Sequence, residues 1–189
     1  APIRLPGQNQ RRRLPSARYK GHEMFGIDHP GGLPSWARVL NARMAKGRFF
    51  TEIENLHRLD VAVIGWDLAE GFFPTEDPLG KTILVEGVNY QVIGVMEKRK
   101  GQFFRDESAD KTVVVPYRTY QKHHPQDDEH FITVQAYPGM KAVAEDQVRE
   151  VLRYYGVQPG ADNGDFNTSP DKRNFSAWRG DRANSGGAK

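Results

Sequence analysis

Apolar positions gather in the middle of this chain, between about Val61 and Tyr155, and both flanks are polar. This pattern predicts a folded centre with polar, partly disordered flanks. Val61-Ala62-Val63-Ile64 is a continuous, largely β-branched run bounded by Asp60 and Gly65, and it predicts a buried strand. Over 66–73, Leu68, Ala69 and Phe72 fall at helical spacing, and Pro74 stops the helix. Asp77-Pro78-Leu79-Gly80 predicts a turn. Residues 81–86 and 90–97 alternate about Gly87-Val88-Asn89, which predicts a hairpin. The charged stretch 98–111 predicts a long loop, and 112–116 a second buried strand ending at Pro116. A short helix over 117–124 ends at Pro125, and 131–137 predicts a last strand. Met140, Val143, Ala144, Val148, Val151, Leu152 and Tyr155 then mark one face of a helix over 140–155, with Gly156 placed as its C-cap.

The N-terminal part is less regular. Residues 1–16 carry no periodicity and predict a flexible arm. Residues 17–27 predict a strand interrupted by two glycines, and His29-Pro30-Gly31-Gly32 a turn. Pro34-Ser35-Trp36 opens a short helix to about Leu40, with Pro34 in the first turn, where its missing N–H costs nothing. Gly47 ends that region, and 55–60 is a polar lead into the strand at Val61. The predicted order β-α-β-α-β-β-β-α-β-α, with tight turns and few crossover helices, favours an α+β fold. It implies a mixed or antiparallel sheet with a few short helices. The domain reading is an arm at 1–16, one domain at 17–158, and a polar linker and tail at 159–189. Disorder is expected from about Gly180, and as early as Asp162.

Composition narrows the function classes. Hydrophobic residues are 38% of the 189, and no stretch approaches the roughly 18 apolar residues of a membrane span, so the chain reads as soluble. It begins at Ala1 without an apolar signal region, which reads as a processed product or an excised piece. The absence of cysteine excludes disulfides, thiol catalysis and cysteine-based zinc sites. A net charge of +3 is mild; Arg11-Arg12-Arg13, with Arg18 and Lys20 nearby, reads as a solvated flank rather than a nucleic-acid contact.

Candidate chemistry is sparse. No nucleophile elbow, phosphate loop, HExxH or calcium loop is present. Between His123 and His130, imidazoles and carboxylates are proper metal ligands, but they are sequential and Pro125 breaks any shared helix face. A charged loop explains them as well, and no metal or cofactor is assigned. Asp67 and Glu70 are three apart and read as a solvated helix face rather than an acid–base pair. His57 reads as exposed, and Ser35, Ser108 and Ser169 lack a base at defined spacing. Of three Phe-Phe pairs, Phe72 and Phe73 are assigned to the core. Phe103 and Phe104, in the charged loop, are assigned to a contact surface with a partner.

One ordered set of motifs is specific. Gly47-Arg48-Phe49-Phe50-Thr51-Glu52 is followed by Asp60 to Gly65, Leu68-Ala69 and Phe72-Phe73-Pro74. Then come Asp77-Pro78-Leu79-Gly80-Lys81-Thr82, Gly87-Val88, and Tyr90 to Val95 with Gly94, and later Val113-Val114-Val115-Pro116-Tyr117. In this order and spacing the chain resembles the MacB-like periplasmic core domain of ABC transporter permeases. The resemblance implies a porter-like βα subdomain, present here in part, with a mostly β insert. It implies a place between the first two membrane helices of a permease, outside the cytoplasmic membrane. It also implies no chemistry of the domain's own: ATP hydrolysis belongs to a separate cytoplasmic domain, whose motion the outer domain transmits.

Implied partners are the rest of the permease, the ABC ATPase, a second copy in a homodimer, and a periplasmic adaptor or lipoprotein, with no nucleic acid among them. Permeases of this kind serve efflux, lipoprotein release or cell-division signalling. The departures are the missing membrane helices and ATPase, and an N-terminal strand-helix-strand that about 45 irregular residues do not supply. The helix over 140–155 is then expected to expose part of its apolar face or to pair with another copy. Two other readings stay open: a free periplasmic ligand- or protein-binding module, recognised by a pocket with convergent polar groups, and a basic nucleic-acid binder, recognised by steep salt dependence.

Overall fold

A computed structural model describes residues 15–98, 110–127, 130–137, 139–154, 167–168 and 174–180. In chain order the elements are β1 (Ser16–Tyr19), β2 (His22–Phe25), β3 (Gly31–Gly32), α1 (Trp36–Val39), β4 (Met44–Gly47) and α2 (Glu52–Leu56). They continue with β5 (Val61–Ile64), α3 (Trp66–Phe72), β6 (Thr82–Val85), β7 (Val88–Met96), β8 (Val113–Pro116) and α4 (Tyr117–His123). Last come β9 (His130–Gln135), α5 (Lys141–Tyr154), β10 (Asn167–Thr168) and β11 (Asn174–Gly180). The chain forms two compact units, Ala1–Pro34 with Arg43–His123, and Ser35–Ala42 with His124–Lys189.

The first unit is built on an eight-stranded sheet in the order β2-β1-β6-β7-β5-β8-β3, with β4 also paired to β7. The nine-residue β7 organises it. On one side it pairs with β6 and then with β4, both antiparallel; on the other it runs parallel to β5. β3 is parallel to β8, and the sheet is therefore mixed, as the α+β reading expected.

Two hairpins close on two-residue turns, Lys20-Gly21 with φ of 45° and 87°, and Glu86-Gly87 with φ of 49° and 88°. Positive φ at both central residues suits the right-handed twist of the paired strands. The first turn makes 17–27 a hairpin rather than one interrupted strand. The second shifts the expected 87–89 turn back by one residue, because β-branched Val88 pairs with Val85. Gly31 and Gly32 were expected as a turn but form a short strand. A Cβ on Gly31 would stand 2.6 Å from Tyr120 Cβ, so its bare backbone is what lets β3 lie against α4. β4 and α2 also went unexpected. Thr51-x-x-Glu54 is a capping-box pattern, and it starts α2, whose end runs into the stretch 55–60 expected as a polar lead into β5.

The core matches the pattern more closely. β5 and β8 are buried along their whole lengths. Ile64, Leu68, Phe72, Phe73, Ile83, Val85, Tyr90, Val92, Val113 and Val115 form one apolar cluster. Phe72 and Phe73 both lie in it, with the Tyr19 ring 4.4 Å from that of Phe73. The Tyr90 hydroxyl is buried with no hydrogen-bond partner among the described residues. Burial, then the charges of Asp60 and Glu86, push its ionisation above the ordinary phenol range. Tyr90→Phe therefore removes an unpaired polar atom at nearly constant shape; thermal melts are expected to show unchanged stability or a gain of up to about 1 kcal/mol.

In the second unit, β9 and β10 flank β11 in an antiparallel sheet. α5 packs on it, with Ala144 and Val148 against Val134 and Ala136. Residues 167–168 and 174–180, read as linker and tail, are thus strands; the first is two residues long, and in the second the alternation Phe175-Ser176-Ala177 is too brief to mark one. Residues 1–14 of the expected 1–16 arm, with Arg11-Arg12-Arg13, lie outside the described residues, as do the Phe103-Phe104 pair, Ser108, Gly156, Asp162 and Ser169, while Ser16 of that arm begins β1.

Candidate functional site

The motif residues converge where β4 meets β7. Gly47 has φ +66°, and a Cβ there would overlap the Ile93 carbonyl and stand 2.8 Å from Leu79 Cδ2. Gly94 faces the other way: a Cβ on it would overlap the Arg48 carbonyl. These two glycines let β4 lie close against β7, and the Arg48 N–H donates to Ile93 O at 3.1 Å. The Asp77-Pro78-Leu79-Gly80 turn closes on the same place. Leu79 N–H donates to Asp77 Oδ1 (3.4 Å), Lys81 N–H to Pro78 O (3.2 Å) and Gly80 N–H to Val92 O (2.8 Å). Gly65 caps α3; its N–H donates to Thr112 O at 2.8 Å, and a Cβ would overlap the Asp110 carbonyl. Gly87 completes the second hairpin turn, and Pro116 ends β8 directly before α4. Phe50 is buried beside half-buried Phe49, ring centres 4.1 Å apart.

From Arg48 the chain enters a polar knot around α2. The Arg48 guanidinium donates to both oxygens of Glu54 at 2.7 and 2.8 Å. Thr51 adds its N–H (2.7 Å) and hydroxyl (2.9 Å) to Glu54, and accepts from the Glu54 N–H at 3.3 Å. The Arg48 fork, against the opposing effect of burial, and the Thr51 donors hold the Glu54 carboxyl at about 2. Its folded value lies below the ordinary 4.5, so its contribution is complete above about pH 4.5 and is lost as pH falls toward 2. Arg48 is more than half exposed, and solvent screening reduces the pair's worth. Glu54→Gln is expected to cost about 1–2 kcal/mol at pH 7, with the gap to the parent closing toward pH 2 in denaturant melts.

α2 is inside out. Its buried residues are Glu54 and Asn55, while Ile53 and Leu56 are exposed, as is Leu59 just beyond it. The buried side is tied to α4. Asn55 Oδ1 accepts from Arg118 N–H (3.1 Å), and the Thr119 hydroxyl donates to Leu59 O (2.9 Å). Asp60 takes Lys122 Nζ at 3.2 Å, and His123 Nε2 lies 2.7 Å away. Burial works to raise the Asp60 carboxyl, yet the bonds from His123 and Lys122 hold it below its ordinary range. Sequence reasoning missed this knot. Its one legible signal was the capping box; Asn55, Asp60 and Thr119 carry no pattern of their own.

Asp67, His57 and Ser35 do not come together in a site. Asp67 pairs with Lys98 at 3.5 Å. His57 caps the end of α2 and is exposed. Ser35 precedes α1 without a side-chain cap bond. The run 123–130 is divided: His123 closes α4 in the first unit, residues from His124 belong to the second, and 128–129 lie outside the described residues. No described helix is long and apolar enough to cross a membrane.

Comparison with known proteins agrees with this picture. The family model for the MacB-like periplasmic core domain matches residues 9–151. The pyoverdine export ATP-binding/permease protein PvdT of Pseudomonas aeruginosa is 37% identical over 87 residues, covering 46% of this chain and 13% of that protein. The macrolide export ATP-binding/permease protein MacB of Wolinella succinogenes is 38% identical over 88 residues, covering 47% of this chain and 14% of the relative. The chain thus spans about a seventh of the relatives' length. Among solved structures, the periplasmic region of MacB from Actinobacillus actinomycetemcomitans aligns with a TM-score of 0.60 at 17% identity, covering 88% of this chain and 69% of that one. The extracellular domain of the noncanonic ABC-type transporter YknZ from Gram-positive bacteria aligns with a TM-score of 0.58 at 19% identity, covering 77% and 73%. Both likenesses show the fold, and the family match spans well over half of the chain: it belongs to the MacB-like periplasmic core domains, the extracytoplasmic part of ABC transporter permeases.

Proposed function

We propose that this domain carries out no reaction and works as a mechanical part of an exporter, of the efflux or lipoprotein-release type. The observation that carries this is the family match over 9–151. It is supported by the role of the motif residues, which hold strands and turns together instead of converging as nucleophile, base and oxyanion donor. In this reading the domain sits between two membrane helices of its permease. It relays movement driven by the cytoplasmic ATPase and meets cargo, an adaptor or a lipoprotein on the outer side. Phe103 and Phe104 serve as contact residues.

The test has two arms. Deleting residues 43–123 from the permease that carries them is expected to abolish export in whole cells, while ATP binding in isolated membranes persists. The purified chain is expected to show no turnover of ester, phosphate or peptide substrates. Undiminished export after the deletion, or turnover by the purified chain, overturns the proposal.

A further inference from the structure

Three aliphatic side chains stand in solvent at the end of α2: Ile53 (68% exposed), Leu56 (56%) and Leu59 (43%). Single exposed aliphatics are ordinary on a protein surface, but three within residues 53–59 make a patch. The local fold groups them. Ile53 and Leu56 are three apart, about 60° around the helix. The helix then ends in a doubly bonded turn, in which Arg58 N–H donates to Asn55 O (3.2 Å) and Leu59 N–H to Glu54 O (3.0 Å). A turn of this kind folds the chain back on the last helical turn and brings the residue after it against the apolar residue before it. Leu59 thereby joins Ile53 and Leu56.

The residue inside that turn is a second observation. Arg58 has φ 54°, a left-handed backbone that glycine adopts freely and a residue with a Cβ adopts under strain. A turn serving shape alone would be better made by glycine. Arg58 instead sets an exposed cation next to Leu59. Arg118, also exposed, has its N–H on Asn55 Oδ1 at 3.1 Å and adds a second cation beside the same helix end. Neither arginine makes an ion pair among the described residues. The other charges here are balanced, Arg48 by Glu54 and Lys122 by Asp60. Glu52, the exposed acid of α2, lies at the opposite end of the helix from Arg58.

An aliphatic tip with a cationic rim suits an anionic bilayer. Ile and Leu gain on entering hydrocarbon, and arginines gain at the phosphates around it. Protein-binding hot spots have another composition, rich in Trp, Tyr and Arg and poor in Leu. We propose that the end of α2 docks on an anionic lipid surface. Ile53, Leu56 and Leu59 enter the boundary between headgroups and acyl chains, and Arg58 and Arg118 meet the phosphates. This goes beyond the mechanical role and does not rest on it. The setting supplies the occupant, because these domains are the extracytoplasmic part of permeases that stand in a membrane. Three aliphatic side chains and two cations make a weak, salt-sensitive attachment.

The purified chain is expected to sediment with vesicles of equal parts phosphatidylglycerol and phosphatidylcholine, and to be released by salt. With phosphatidylcholine alone it is expected to stay in the supernatant. Arg58→Gly separates binding from folding. It relieves the left-handed strain, so the melting temperature is expected to hold or rise, while binding to the mixed vesicles falls about fivefold. Ile53→Ser with Leu56→Ser is expected to lower binding about tenfold or more with an unchanged melt, since both side chains are exposed. The chain has no cysteine, so a polarity-sensitive dye on Ile53→Cys reports insertion directly. Its emission is expected to shift to the blue on the mixed vesicles, and that of Asn89→Cys, exposed on β7, to stay unchanged. No binding to the mixed vesicles, equal binding to neutral ones, undiminished binding by Arg58→Gly or the double serine variant, or equal dye shifts at 53 and 89 overturns the proposal. The first of these results would give the row to a protein partner instead.

Discussion

Gly94→Val is expected to leave the first unit unfolded or nearly so at 37 °C, with a loss of about 4 kcal/mol or more in urea denaturation. The added side chain would enter the space held by the Arg48 carbonyl, in the strand that pairs with β4, β5 and β6. Neither strand can retreat, because β7 is fixed on both sides. Gly47→Val is expected to do similar damage for two reasons, a left-handed φ of +66° and overlap with the Ile93 carbonyl. The control is Gly87→Ala. That residue also has positive φ, at 88°, but its Cβ would meet nothing within 4 Å. Only backbone strain is then at stake, about 1 kcal/mol. If all three variants lose the same stability, close packing of β4 on β7 is not what these glycines serve.

Leu68→Ala is expected to cost about 3–4 kcal/mol in the same measurement, by lost burial and the cavity left beneath α3. Leu68 is fully buried in the apolar cluster. Leu56→Ala is the informative partner, since it also removes a helical leucine from the motif region. Leu56 is more than half exposed on α2, and its loss is expected to stay within about 0.5 kcal/mol. A large effect at Leu56 would mean that α2 packs its apolar side inward after all.

That contrast also shows what the pattern of the chain made legible. β5, α3 and β8 were readable because their burial follows apolar spacing, while α4 was marked by the proline that follows it and α5 by an apolar 3.6-residue period, part of which stays exposed. α2 was not, because it inverts the rule, burying Glu54 and Asn55 and turning Ile53 and Leu56 outward. β10 and β11 were missed because β10 is only two residues long and the alternation in β11, Phe175-Ser176-Ala177, is short and follows a polar stretch rich in Asn, Asp and Gly. At the motif junction the residue identities were legible but not their work. A single sequence does not distinguish Gly87, which needs its φ, from Gly94, which needs its missing Cβ. That difference lies in a carbonyl 46 positions away in the chain, at Arg48.

Synthesis on the ribosome meets a chain that visits the second unit twice. Residues 35–42 emerge early, but β9, against which α1 lies, begins only at His130. At roughly 5–20 residues per second, α1 waits about 5–20 s for that strand, and longer for β11. The last strand of the first unit, β8, is finished only 14 residues before β9 begins, so α1 waits through the synthesis of nearly all of that unit. Trp36 spends that interval without the strand its helix finally lies against.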